Sequence, residues 1–208
     1  MSYAKDAVPG YLKEGLLALI PVYADGGNAC LIYTAGREHQ DNHTLRWILS
    51  QITSYYGTSI KLLHQLYGPV LNRSNTIPLP LSRETLLLPL KMREPRVSGD
   101  STIGYLNGRS ISRVEPAPPP HRSAICFREG LILKSYTSPA TVRERLLQGD
   151  TVYREFLRRQ NEFTPASPTP GPSPFPEGDA AGQTEDEFFA YALKTFLRRL
   201  TETFYLEL

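Results

Sequence analysis

Two cysteines in 208 residues cannot build a disulfide-stapled scaffold. Cys30 and Cys126 each sit inside an apolar run, so we expect reduced, buried thiols of a reducing compartment. Long hydrophobic runs are missing too. GLLALIPV at residues 15–22 falls well short of the ~20 residues that cross a bilayer, which argues against a membrane partner. The opening MSYAKDAVPG supplies neither the basic start nor the small-residue cleavage site of a secretory signal, so the expected location is the cytoplasm. Catalytic signatures are also lacking: no G-x-S-x-G elbow, no P-loop and no G-x-G-x-x-G occurs. Cys30, His39 and His43 have no fourth ligand near in sequence, and zinc wants tighter clusters. His121 beside Cys126 pairs a loop residue with a strand residue, a poor nucleophile–base arrangement. The expectation is no enzyme activity, no metal and no cofactor.

Hydrophobic residues make up 40% of the chain and charged ones 21%, which is enough for a core. The net charge of +2 hides a division. Residues 1–163 hold 20 Lys/Arg against 14 Asp/Glu, and residues 164–208 hold 3 against 7. Within the body, residues 46–159 hold 17 against 8. A basic body with an acidic tail is a pattern of nucleic-acid binders.

Six of the 18 prolines crowd into the twenty residues TPASPTPGPSPFPEGDAAGQ, 164–183. Proline fixes φ and removes donors, so this stretch predicts a semi-rigid linker. It separates a body, residues 1–163, from a segment at 184–208 that carries a helix signature. There Thr184 and Glu187 form a capping box, and Phe189, Leu193, Phe196, Leu197, Leu200 and Phe204 recur at helical spacing. One such helix cannot bury its aromatic stripe alone. It must dock on the body, pair with a second copy, or bind a partner.

The body is expected to be α+β, with a mostly antiparallel sheet, an N-terminal hairpin and flanking helices. GLLALIPV and ACLIYT flank the turn residues Asp25, Gly26 and Gly27. The stretch DNHTLRWILSQITSYYG predicts a helix with Asn42 as cap and Gly57 as stop. TIPLPL and TLLLPL are strand-like, and their prolines demote them to edge or bulged strands. SAICFREGLILKSY predicts a hairpin turning at Glu129 and Gly130. A closing helix follows, capped by Ser138, with Pro139 in its first turn and Val142, Leu146, Leu147, Val152, Phe156 and Leu157 as its apolar face. Gly149 marks a kink or a split.

Two places suit phosphate. If Ser59 opens a second helix, the turn Thr58, Ser59 offers hydroxyls and free N–H groups, and Lys61 adds charge. The closing helix carries Arg143, Arg145, Arg154 and Arg158, whose guanidinium forks match phosphate oxygens, and Arg73 extends the basic rim.

YYGTS, Tyr55–Ser59, resembles the aromatic–aromatic–Gly–Ser–Ser stretch of the ComK family, the competence transcription factors of Gram-positive bacteria. NTIPLPLSRETLLLPL resembles that family's proline–isoleucine strand, turn and Phe-Pro-Thr strand end. AICFREGLILKSYTSPATVRERLLQGDTVYREFL resembles its strand, hairpin, strand and closing helix. After YYGTS the family has Tyr-x-Gly-Arg, where this chain has IKLLHQ. The resemblance implies a transcriptional regulator that binds A·T-rich double-stranded promoter DNA through the minor groove and is removed by a Clp-type adaptor and protease. Two other readings stay open: a protein–protein adaptor of the same fold without DNA binding, and an enzyme on a phosphorylated small molecule.

Overall fold

A computed structural model describes residues 8, 10–24 and 27–163. The linker expected at 164–183 and the aromatic helix expected at 184–208 lie outside the described residues, as do Asp25 and Gly26. The body is α+β. Strands β1 (Leu16–Ala24), β2 (Gly27–Thr34) and β3 (Glu38–Asp41) lead into helices α1 (Leu45–Tyr55) and α2 (Ile60–Leu71). Then come β4 (Leu79–Pro80), β5 (Leu86–Lys91), β6 (Ile103–Asn107), β7 (Ile111–Pro116), β8 (Ser123–Phe127), β9 (Ile132–Ser135) and helix α3 (Pro139–Phe163). Six strands form one sheet in the order β3-β2-β1-β6-β5-β4, and β7-β8-β9 form a second sheet of three. Every pairing is antiparallel.

The N-terminal hairpin is β1 with β2, in register from Ala18 opposite Tyr33 to Ala24 opposite Gly27. Leu16 to Ile20 are all buried, an unbroken apolar run rather than an alternation. Both faces of β1 are covered, so neither can be polar. Leu16 and Leu19 join a core shared with the helices, while Leu17 and Ile20 join a second core with Ile125, Phe127 and Leu133 of the small sheet.

Prolines sit where pairing is incomplete. Pro80 is in the two-residue edge strand β4. Pro89 is in β5, an inner strand, but β4 covers only Leu86 and Leu87, so β5 is locally an edge at Pro89. Pro21 pairs with Cys30 on one side, and β6 reaches only Ala18 and Leu19 on the other. Asn107 is buried and closes the seam: Nδ2 donates to the Leu16 and Glu84 carbonyls at 3.0 and 2.9 Å, and Oδ1 accepts from Leu86 N at 3.2 Å.

Three helix details depart from the sequence expectations. Thr44, not Asn42, caps α1, because its extended backbone lets Oγ1 accept from Trp47 N at 3.3 Å. Gly149 neither kinks nor splits α3, which runs 25 residues unbroken. Its missing side chain is a packing requirement, since a Cβ there would lie 2.6 Å from Leu88 Cδ2. Leu147 is 71% exposed and leaves the apolar face, whereas Tyr153 joins it, 9% exposed, and donates to the Arg83 carbonyl at 3.0 Å. Cys30 and Cys126 are free and buried, and burial pushes the Cys30 thiol up to about 12. Among the described residues no helix is long and apolar enough to cross a membrane, and no cluster of three metal-ligating side chains occurs.

Candidate functional site

The YYGTS stretch is a helix–helix corner. Gly57 takes φ +66°, which a side chain would resist, and its N–H donates to the Ser54 carbonyl at 3.0 Å. Thr58 N donates to the Thr53 carbonyl at 3.0 Å, which completes a Schellman closure of α1. Ser59 then caps α2: its backbone is extended and Oγ accepts from Leu62 N at 3.2 Å. α2 therefore begins at Ile60, one residue after its cap Ser59, as the sequence suggested.

Around this corner lies a notch of about 300 Å³, lined by Arg46, Ser50, Thr53, Ser54, Thr58, Ser59, Ile60 and Lys61. Arg46, Ser50 and Ser54 are spaced four apart, so they form one stripe of α1 leading to the α2 N-terminus. The first N–H groups of α2 have no intrahelical acceptor, and the helix dipole is positive there. No carboxylate, histidine or thiol lines the notch. It holds donors for an oxyanion.

Arg46 is the residue the sequence reading missed. The signal was available: residues 42–83 contain Arg46, Lys61, Arg73 and Arg83 and not one Asp or Glu. Arg46 and Lys61 are both exposed. They also border a larger cleft of about 720 Å³, which Leu45, Leu49, His64, Ile103 and Tyr105 help to line.

The basic rim does not gather at the notch. Arg73 follows the α2 C-cap Asn72, roughly 18 Å of helix from Ser59 at 1.5 Å per residue. It faces Glu144 at 3.5 Å. Arg145 is half-buried and donates to the Thr76 carbonyl at 3.3 Å and to Gln148 at 3.0 Å. Burial, with the nearby Arg73 charge, pulls its pKa down. Arg143 donates to the Val114 carbonyl at 3.2 Å, which ties α3 to β7. Arg154 pairs with Asp150. Arg158 pairs with Glu155 at 2.7 Å and with Glu162, and Arg159 also holds Glu155 at 2.7 Å. Those two guanidinium groups draw the Glu155 carboxyl down to about 2. Thus Thr58, Ser59 and Lys61 converge with Arg46, while the α3 arginines are engaged within the fold.

No protein-family model, curated protein or solved structure matches this chain. The likeness to the ComK family rests on the residues quoted above.

Proposed function

We propose that this protein is a double-stranded-DNA-binding transcriptional regulator of ComK type, acting in the cytoplasm and engaging A·T-rich promoter DNA. The observation that carries the reading is the corner itself. Thr58, Ser59, Lys61 and Arg46 meet around one open notch, and residues 42–83 set no carboxylate against a phosphate backbone. Phosphate contacts dominate DNA affinity, and a helix N-terminus with an adjacent lysine and arginine is suited to make them. A second copy of the chain is the partner that the aromatic stripe of residues 184–208 would suit, and a Clp-type adaptor and protease are partners that the resemblance adds to this proposal.

The test is fluorescence anisotropy of labelled A·T-rich and G·C-rich duplexes against log salt. The parent should bind with a steep salt dependence and prefer the A·T-rich duplex. Lys61→Ala and Arg46→Ala should each weaken both duplexes alike and lower the slope by about one unit. If both variants match the parent at every salt concentration, the corner does not face phosphate.

A further inference from the structure

The notch opens beside the larger cleft, and the two share Arg46, Ile60 and Lys61. The cleft lies between α1, α2 and β6, and its volume of about 720 Å³ falls among ligand-sized cavities. Leu45, Leu49, Ile60, Ile103 and Tyr105 give it an apolar floor. No carboxylate lines it, and neither Arg46 nor Lys61 makes an ion pair or a side-chain hydrogen bond among the described residues. His64 is a further lining residue, and its Nε2 is buried without a hydrogen-bond partner among the described residues. DNA does not account for such a cavity. A phosphate backbone needs cations and donors, and it gains nothing from an apolar floor.

We propose that this cleft binds an amphipathic organic anion, with an aliphatic chain on the α1–β6 floor and its carboxylate between Arg46 and Lys61. The two parts of the site ask for two parts in the ligand. An uncharged alkane would leave the cations unused, and a small anion would leave the apolar floor wet. Both cations stand at the shared border of cleft and notch, so the head group sits at one end and the chain runs away from it.

The measurement is isothermal titration of the full chain with decanoate below its micelle concentration, beside decanol and acetate. Decanoate should bind at one site per chain. Decanol should bind about tenfold more weakly and acetate not detectably. Gln65 is an exposed lining residue of α2, so Gln65→Trp should fill the mouth and abolish decanoate binding. Arg46→Gln and Lys61→Gln should each weaken it about tenfold. A thermal melt of each variant checks folding. If Gln65→Trp melts early, the two exposed-cation variants decide the matter alone. Absence of decanoate binding overturns the proposal, and so does decanoate binding that all three variants leave unchanged. The titration contains no nucleic acid, so either result leaves the duplex reading to its own test.

Discussion

The closing helix α3 and the α1–α2 pair are both basic, and they use their cations in opposite ways. In α3, Arg154, Arg158 and Arg159 find Asp150, Glu155 and Glu162 three or four residues away, and Arg143 and Arg145 bind backbone carbonyls. In α1–α2 no acid is present from residue 42 to 83, and Arg46 and Lys61 project free of ion pairs among the described residues. A count of arginines points to α3. Counting the carboxylates within helical reach points to α1–α2. A binding face is where cations remain after the local pairs are subtracted.

The largest expected effect concerns what α3 is for. If its work is packing, Phe156→Ala, at a side chain 9% exposed in the main core, should cost about 3–5 kcal/mol in a chemical melt. Arg158→Ala should leave the same melt nearly unchanged, because exposed ion pairs contribute little. The comparison breaks if the arginine matters more than the phenylalanine.

Duplex binding should divide the same way. The double variant Arg46→Ala/Lys61→Ala should lower the slope of log affinity against log salt by about two units. Arg154→Ala/Arg158→Ala should leave that slope near the parent value, since it removes cations already neutralised. Equal slopes for the two double variants would merge the two regions into one basic surface.

A smaller effect separates the corner's shape from its charge. Ser59→Ala should cost about 1 kcal/mol in a thermal or chemical melt through loss of the α2 cap, and Ser59→Gly only a few tenths. If both substitutions are neutral, Ser59 does not hold the corner in place.

Much of this frame was legible in the sequence. The turn residues Glu129 and Gly130, Gly57 as a stop, Ser59 as a start, and Ser138 with Pro139 each carry their structural reason locally, so the elements they bound fall where expected. Strand β3, Glu38–Asp41, was not legible. It has no apolar alternation and forms because Leu31, Ile32 and Tyr33 of β2 offer it a ladder. Gly149 suggested a break because its need is tertiary: Leu88 of β5 occupies the space a side chain would take. Three of the four converging site residues, Thr58, Ser59 and Lys61, were visible. Arg46 was not, because it sits fifteen residues before Lys61 and shares a notch with it only in the folded chain.

The smallest expected effect is a response to acid, and its sign follows from the pairing. Glu155 is held down to about 2 from an ordinary 4.5 by Arg158 and then Arg159. A carboxyl whose pKa is depressed on folding contributes stability that is complete above its unfolded value. That contribution fades as pH falls from about 4.5 toward 2. Glu14, held at about 2 by Arg37 and His39, responds over the same window but lies beside β2 and β3, far along the chain from α3. Residues 42–83 have no carboxyl to titrate. Hydrogen exchange, corrected for the intrinsic pH dependence of amides, should therefore show α3 losing protection between pH 4.5 and 2 before α1 and α2 do. Glu155→Gln should remove most of that difference, because glutamine keeps the size and lacks the titration. If the variant and the parent lose α3 protection in parallel, the arginine pairs do not hold the helix. In that case the contrast between the two regions is one of charge alone.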